Sequence, residues 1–451
     1  MIEMHKYSVR NIEEEIKAMF MVEKEIIKDA GNQLSDFRKH DVPTRLEIIS
    51  SLRGLSAEEK EAIRSNDVDN SENAIGEIRY PLKIIPNLRV NGREYTVPMA
   101  VEEPSIIAGC SKAAKIANVS GGCVSSHSDQ IMIGQIQLID VPDLNAARQK
   151  ILENKEQLIA AANTQSKHAI AKDILVAVHN DEKYPMVVIS LYVDVGNAMG
   201  ANVINKMCEF LAPKVEAIGG GMANMKIISN YATERTASSY AVFKKDMLSV
   251  KIGDSIISGE EVVRRMLNAW AFAQNDVYRA VTHNKGIMNG VDPILVATYN
   301  DSRAVEAGAH AYAARTGRYL PLTKYEKNKN GDLVIGVSLP VQIGVVGGAY
   351  NKYAEITRKI LNVKDSGEFM DILSAVALLQ NFAAVYSLVT EGINKGHMRL
   401  QAREYARKAG AQTDVEIDKI VELMLEKHHE GSIPLSMDLA KKIMSDLDKS
   451  A

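Results

Sequence analysis

The segment best suited to chemistry surrounds Lys285, which lies among glycines and asparagines in residues 282–290. Glycine lets a backbone pass close to a ligand, so the pattern predicts a loop built around one inward-pointing ammonium group. Such a group would stabilise negative charge that develops on a substrate oxygen. Because a buried lysine must be paired or lose its proton, Asp301 in the next polar segment is the expected partner. From this stretch alone, a surface turn with a solvated lysine is the alternative.

Two further segments carry groups that transfer protons. Glu102 and Glu103 precede Pro104 and a predicted helix over 106–118. One carboxylate therefore lies near a helix N-terminus, either as a general acid in a cleft or as a solvated cap. His397 opens the charged terminal segment and is a candidate for a group on a hinged lid. Packed or solvent-exposed positions are predicted for three other histidines, His310, His428 and His429.

A phosphate-binding segment is predicted at residues 196–202, where small residues lead from a strand into a helix. Backbone N–H groups at a helix N-terminus attract phosphate. The sequence contains neither GxGxxG nor GxxxxGK[ST], so a dinucleotide must bind by other means. A tight helix start without a ligand is the alternative at this position.

Length and composition predict a globular protein of two or three domains. The formal net charge of -3 argues against nucleic acid or an anionic membrane as a partner. Three cysteines without a CxxC pair favour a reducing cytoplasm and no structural metal site. No cationic-then-apolar leader is evident, and Gln380 and Asn381 interrupt the apolar stretch 375–389, so we expect a cytoplasmic protein without a transmembrane span.

Periodicity predicts an α+β fold that begins with helices. An amphipathic helix follows Asn11, and a second capping signature occurs at Ser56 and Glu59. A hairpin closed by an Asn-Gly turn covers 88–97.

The middle of the chain has the pattern of a separate unit. Residues 131–230 follow the ferredoxin-like order β-α-β-β-α-β, with one long helix over 144–170. After Tyr231 the periodicity is helical again, apart from a predicted strand that enters the glycine turn within 339–348.

Taken together, these segments resemble the 3-hydroxy-3-methylglutaryl-coenzyme A (HMG-CoA) reductases in their soluble class II form, from about Arg45 to Gly410. The motifs that carry the resemblance are ENAIG at 72, VPMAVEEPS at 97, AMGAN at 198, IISN at 227, YRAVTHNKGIMNGVDP at 278, NDSRAVEAGAHAYA at 300, GVVGG at 344 and EGINKGHM at 391. A chance match to all of them in this order is not credible.

The resemblance implies a reductase that converts HMG-CoA to mevalonate and coenzyme A with two reduced nicotinamides, or runs in reverse. Its four catalytic groups would be Glu103, Lys285, Asp301 and His397. Lys285 would stabilise the oxyanion, and Glu103 would protonate the aldehyde oxygen. Asp301 would hold both in one hydrogen-bonded cluster, and His397 would protonate the departing thiolate.

The resemblance also implies the binding residues. Arg279 would clamp the substrate carboxylate, and the other substrate contacts would be Ser105, Asn289 and Asn230. The cofactor contacts would be Asn197, Met199, Gly200, Ala201 and Asn202, together with Ser166 and Lys167.

The implied architecture is a large, mostly helical substrate domain, an inserted ferredoxin-like cofactor domain and a C-terminal helical flap. These cover 1–129 with 231–390, 130–230, and 391–451. Family active sites lie at a homodimer interface, and dimers can assemble further.

Two positions depart from the family pattern. Asn197 replaces the usual aspartate before AMG. The stretch 162–168 lacks the acid that accepts from a ribose 2′-hydroxyl in NADH-preferring relatives. Ser166 and Lys167 in this stretch tolerate a 2′-phosphate, so NADPH is favoured over NADH.

Two other functions compete with reduction. A thioester hydrolase on this scaffold is disfavoured, since the sequence has no GxSxG elbow or evident Cys-His pair. A silent coenzyme A-binding protein would require a change at one of the four catalytic positions, and all four are intact.

Overall fold

The computed structural model describes residues 34, 36–64, 71–252, 255–346, 352–431 and 433–448, without the side chains of 393–397, 400, 429–431 and 448. The predicted helix after Asn11 lies outside the described residues. The helices are α1 Val42–Arg53, α2 Ala57–Ile63, α3 Pro104–Asn118, α4 Leu144–Glu153, α5 Lys155–Asn163, α6 Ala201–Gly219, α7 Gly259–Asn275, α8 Val277–Ala297, α9 Ser302–Ala313, α10 Lys352–Leu361, α11 Ser366–Val389, α12 Ile393–Ala409, α13 Asp414–Gly431 and α14 Met437–Asp448. The strands are β1 Leu82–Val90, β2 Arg93–Ala100, β3 Cys123–His127, β4 Ile131–Ile139, β5 Ile170–His179, β6 Met186–Asp194, β7 Met222–Ser229, β8 Thr236–Phe243, β9 Val250–Ile252, β10 Ser255–Ile257, β11 Thr323–Lys327 and β12 Leu333–Pro340. This mixture of helices and strands confirms the α+β class.

The chain divides into two compact units, Met1–Tyr80 and Pro81–Ala451. In the first unit the capping box that opens α2 is confirmed: the Ser56 hydroxyl accepts from the Glu59 N–H, and the Glu59 carboxylate accepts from the Ser56 N–H. Two orphan donors of the helix end are thereby satisfied.

A six-stranded sheet forms the centre of the second unit, in the order β11-β12-β8-β3-β1-β2. The hairpin β1–β2 is confirmed, with Asn91 and Gly92 at positive φ in its turn. One sheet face packs against α11 and α3 and buries the main apolar core. The expectation of a mostly helical domain included the hairpin but did not foresee that it belongs to a sheet of six strands.

The strands after Tyr231 were predicted as helices because their apolar pattern is weak. In β8 the buried residues alternate, which is the period of two typical of a half-buried strand. Small residues such as Ala237 and Ala241 supply its buried face, so the apolar signal is weak. The strand predicted within 339–348 is wrong in position, since β12 ends at Pro340.

A four-stranded sheet with its own apolar core occupies the middle of the chain, in the order β5-β6-β4-β7. One long helix over 144–170 is wrong, because the chain turns at Asn154, whose side-chain amide donates to the Lys150 carbonyl. Thus α4 and α5 are separate, and β5 begins at Ile170.

The lysine segment 282–290 is helical, which corrects the prediction of a loop. It forms the middle of α8, and α8 lies against α11. A Cβ at Gly290 would lie 2.8 Å from Gln380 Cβ and 3.1 Å from Val376 Cγ1, so the glycine permits close helix packing. Tertiary packing has overridden the local preference of glycine and asparagine.

Helix α11 is long and apolar enough to cross a membrane by length and composition, but 72% of its most apolar window is buried inside the protein. This is the position of a core helix in a soluble protein. The helices α12–α14 pack on one another through a third apolar cluster that includes Ala406, Val421 and Ala440.

We predict opposite effects for two alanine substitutions on α8. At Gly286 a Cβ meets no atom within 4 Å, so Gly286→Ala should stabilise the helix by up to about 1 kcal/mol. Gly290→Ala should destabilise the protein by about 1–3 kcal/mol through overpacking against α11. Urea-unfolding midpoints measured by circular dichroism compare the pair. Equal destabilisation by both would contradict a continuous helix here.

Candidate functional site

A cavity of about 400 Å³ brings four of the expected site residues together. Its walls come from the start of α3, the middle of α8 and the last turns of α11. The expected residues are Glu103, Ser105, Lys285 and Asn289. Its other lining residues include Ile106, Lys112, Phe382, Ala383 and Tyr386. The cavity therefore combines carboxylate, hydroxyl, amide and ammonium groups with an apolar wall.

Glu103 is held at the N-terminus of α3, where it is the N-cap residue and Pro104 follows at the first helical position. The Ser105 hydroxyl donates to the Glu103 carboxylate. The carboxylate is thus fixed in orientation at the cavity wall.

Lys285 and Asn289 are one helical turn apart on α8, so both side chains reach the same cavity. Lys285 is exposed in a single chain, which corrects the expectation that it is buried. A second cation, Lys112, also lines the cavity, with its ammonium 4.8 Å from the centre of the Tyr386 ring. The sequence analysis did not single out Lys112, which occupies a helix turn without any motif signal.

Asp301 does not meet Lys285 within one chain. It is the N-cap of α9, where its carboxylate accepts from the Ala304 N–H at 3.1 Å. Lys285 lies twelve residues before the end of α8, a distance of about 18 Å along the helix axis. Asp301 follows that end and is not among the residues that line the cavity with Lys285 and Glu103.

Asp301 instead belongs to a second neighbourhood around residues 341–346. The adjacent Asn300 side chain accepts from the Gly344 N–H at 2.8 Å. A Cβ at Gly344 would lie 2.9 Å from the Met199 backbone nitrogen. The Gln342 amide donates to the Asn230 carbonyl at 3.0 Å and also to a carbonyl in α9. Asn230, Met199 and Asp301 therefore all lie near the segment 341–346.

The junction 196–202 has the geometry of an anion site. Gly200 has a left-handed backbone and is the N-cap of α6, which begins at Ala201. A Cβ at Gly200 would lie 2.5 Å from Val195 Cγ1, so a larger residue does not fit. The first turn of α6 has no side-chain cap, which leaves its N–H groups available to a phosphate. Asn202 follows in this turn.

The Asn197 side chain is used inside the protein. Its Oδ1 accepts from the Ser366 N–H at 2.9 Å, at the start of α11. Its backbone carbonyl accepts from the Val345 N–H. Asn197, which replaces the usual aspartate, therefore connects the junction 196–202 to the start of α11 and to residues 341–346.

The segment proposed to select the cofactor lies between α5 and β5. The Ser166 hydroxyl oxygen accepts from the N–H groups of His168 and Ala169. Lys167 and His168 are exposed. The Lys206 ammonium approaches the Gln165 carbonyl at 3.4 Å. The surface here carries cationic and polar groups that tolerate a phosphate.

Arg279 is an expected substrate contact that does not line the cavity, and nothing is described of the His397 side chain. Arg279 is in the first turn of α8, where burial lowers its pKa. His397 is in α12.

His310 is packed as predicted, with Nδ1 2.6 Å from the Tyr319 hydroxyl. The buried His283 contacts the Thr323 hydroxyl at 2.6 Å, and burial lowers its pKa to about 3.

Asp292 is a titratable residue that sequence reasoning missed. It follows Lys285 and Asn289 on one face of α8, at the spacing i, i+4, i+7. Its Oδ1 is buried without a hydrogen-bond partner among the described residues. Burial, followed by the charge of Glu306, raises its pKa to about 7, and Lys285 opposes the shift. Its helical spacing from Lys285 and Asn289 could have identified Asp292 from the sequence.

Replacing Asp292 should change how stability depends on pH. The neutral carboxyl contributes fully below the unfolded pKa of 3.8, and that contribution is lost as pH rises through about 7. We therefore expect Asp292→Asn to melt a few degrees above wild type at pH 8, with the difference shrinking towards pH 4. Thermal melts across this range test it, with the exposed Asp446→Asn as control. A pH-independent difference would contradict the shifted carboxyl.

Comparisons with known proteins agree on one family. A profile of hydroxymethylglutaryl-coenzyme A reductase matches residues 41–402. A 3-hydroxy-3-methylglutaryl-coenzyme A reductase from Archaeoglobus fulgidus is 43% identical over 430 residues, covering 92% of this chain and 95% of the relative. A probable enzyme of the same name from Borreliella burgdorferi is 32% identical over 377 residues, covering 82% and 86%.

A solved structure leads to the same conclusion. The class II 3-hydroxy-3-methylglutaryl-CoA reductase from Streptococcus pneumoniae, bound to NADPH in open conformations, is 35% identical and has a TM-score of 0.69. The match covers 90% of this chain and 99% of that one. The chain therefore belongs to the hydroxymethylglutaryl-coenzyme A reductase family.

Proposed function

We propose that the protein reduces HMG-CoA to mevalonate and free coenzyme A at an active site assembled from two chains. Family membership makes it an oxidoreductase of the mevalonate pathway that acts on HMG-CoA. The observation that best supports this proposal is that one chain holds the site residues in two separate groups. Glu103 and Lys285 share the cavity, whereas Asp301 and Met199 lie around residues 341–346.

Two copies related by a two-fold axis would bring these groups together. In a symmetric dimer, the cavity of each chain can meet the second group of its partner, which gives two equivalent sites. Asp301 would then complete the hydrogen-bonded cluster with Lys285 and Glu103 across the interface. The exposure of both Lys285 and Asp301 in a single chain supports this arrangement.

The residues present fit a nicotinamide dinucleotide, because the uncapped first turn of α6 offers N–H groups to its phosphates. When bound, the reduced nicotinamide supplies the hydride for each of the two reductions. Met199, Gly200, Ala201 and Asn202 would hold it through backbone groups, and Asn197 would fix the junction. Ser166 and Lys167 favour NADPH, since no acid in this stretch repels a 2′-phosphate.

Lys285 stabilises the oxygen that becomes negative when the thioester carbonyl accepts a hydride. The resulting hemithioacetal collapses to an aldehyde as the carbon–sulfur bond breaks, and His397 protonates the coenzyme A thiolate. The second reduction places negative charge on the aldehyde oxygen, next to Lys285 again. Glu103 donates the proton that completes the alcohol.

Polar groups inside and outside the cavity would orient the substrate. Ser105 and Asn289 line the cavity beside Glu103 and Lys285. Arg279 would bind the free carboxylate as a bidentate partner, and Asn230 would add a polar contact. The apolar wall of the cavity accommodates the methyl-bearing carbon chain.

The proposed domain arrangement follows the separate apolar cores. Residues 130–230 would carry the cofactor on their own apolar core. Residues 1–129 with 231–390 would carry coenzyme A and substrate, and the main core supports this from Ile85 onwards. Residues 391–451 would form a flap that closes over the site with His397, supported by the separate core of α12–α14.

The direct test is an assay with HMG-CoA and either NADPH or NADH, with free thiol titrated alongside. We expect two nicotinamides oxidised per thiol released, and faster reaction with NADPH. Lys285→Ala should reduce kcat at least about a hundredfold, because it removes the main oxyanion partner. The exposed Lys329→Ala, in the turn between β11 and β12, is the matched control.

Three results would contradict parts of this proposal. Thiol release without nicotinamide oxidation would indicate a hydrolase on the same scaffold. A Lys285→Ala variant that keeps more than about a tenth of the wild-type rate would reject the oxyanion role. A faster reaction with NADH would overturn the interpretation of Ser166 and Lys167.

A further inference from the structure

Arg235 is a fully buried cation that none of the steps above uses. It lies just before β8 and is 0% exposed. Its backbone carbonyl accepts from the Val341 N–H. Burial lowers the pKa of its guanidinium to about 10, and Asp194 partly offsets this effect. Burying an arginine is costly unless its donors are satisfied, so its contacts need an explanation.

The guanidinium bridges the two segments that flank the proposed cofactor site. Nη1 donates to the Ala198 carbonyl at 3.0 Å, in the junction before α6. Nη2 donates to the Ile343 carbonyl at 2.6 Å, in the segment after β12. Nε donates to Gln130 Oε1 at 3.0 Å, at the entry to β4. All three acceptors are neutral oxygens, which a rigid fork of donors can hold at fixed spacing.

The network continues to the start of α11. The Ser366 hydroxyl lies 3.0 Å from Gln130 Oε1 and 3.1 Å from the Gly196 carbonyl. The Ser366 N–H donates to the Asn197 side chain. Arg235 therefore joins residues 196–198 directly to residues 341–346, and Gln130 and the junction connect this network to the first turn of α11.

We infer that Arg235 is a positioning residue for the nicotinamide cofactor, which it serves by holding the junction 196–200 against residues 341–346. The inference rests on the proposed cofactor site at the N-terminus of α6. The N–H groups of that turn bind phosphate only if their direction is fixed, and Ala198 lies three residues before Ala201. Misplacement of a binding group by about 1 Å is enough to cost up to about a hundredfold in rate.

Steady-state kinetics and NADPH titration of the full-length protein test this role. Arg235→Met removes all three hydrogen bonds at similar volume, and we expect a rise of roughly tenfold or more in the KM and Kd for NADPH. The KM for HMG-CoA should rise at most about threefold, since Arg235 contacts no residue of the cavity and reaches the proposed substrate contact Asn230 only through residues 341–346. Arg235→Lys keeps the charge but only part of the fork, so it should give an intermediate loss.

Two further variants separate the possible causes. Ile151→Val loosens the fully buried core beneath the same four-stranded sheet without touching the network, and it should leave both KM values unchanged. Ala201→Asp places a negative charge in the first turn of α6 and should abolish NADPH binding if the phosphates lie there. If Arg235→Met does not fold, Gln130→Ala should show the same pattern at smaller magnitude.

These variants test the role of Arg235 separately from the position of the cofactor site. Unchanged NADPH affinity in Ala201→Asp would overturn the proposed cofactor site and the role of Arg235 with it. Loss of affinity in Ala201→Asp but not in the Arg235 variants would overturn the role of Arg235 alone. Equal rises in both KM values, or the same rise in Ile151→Val, would indicate general destabilisation and reject a positioning role.

Discussion

The close contact between α8 and α11 is the constraint on which the active-site geometry depends. Gly290 has no side chain to separate the helices, and Gln380 and Val376 fill that space. At the next residue of α11, the Asn381 side-chain amide donates to the His283 carbonyl and its oxygen accepts from the Tyr325 hydroxyl. Because α3 also packs on α11, the same helix fixes the position of the Glu103 carboxylate relative to the Lys285 ammonium. A rigid, buried helix thus sets the distance between a proton donor and a cation.

The same packing underlies the proposal that two chains share each active site. Lys285 lies about 18 Å along the axis from the end of α8, and Asp301 follows that end and does not line the cavity that holds Lys285. The group around residues 341–346 is held by its own contacts, with Arg235 and Asn197 at its centre. Each group of residues is held by its own contacts, and in the proposed active site two chains would bring the two groups together. A site shared in this way would couple catalysis to assembly of the dimer.

Much of the candidate site could be predicted from sequence, because its motifs occupy helix ends and turns with strong local rules. Glu103 before Pro104 and the uncapped start of α6 are examples. The helical state of 282–290 could not, since glycine and asparagine favour a loop locally and the packing that overrides them comes from α11, distant in sequence. The sheet around β8 was hidden by small buried residues. Arg235 gave no periodic signal, as its importance lies in which carbonyls surround it.

The most direct test of a site shared between chains is complementation between Lys285→Ala and Asp301→Ala. Each variant alone should be nearly inactive. When the two are co-expressed and the mixed dimers form at random, one site in each mixed dimer keeps both residues, so we predict about a quarter of wild-type activity. Activity no higher than that of either variant alone would mean that Lys285 and Asp301 act within one chain, and would contradict the account.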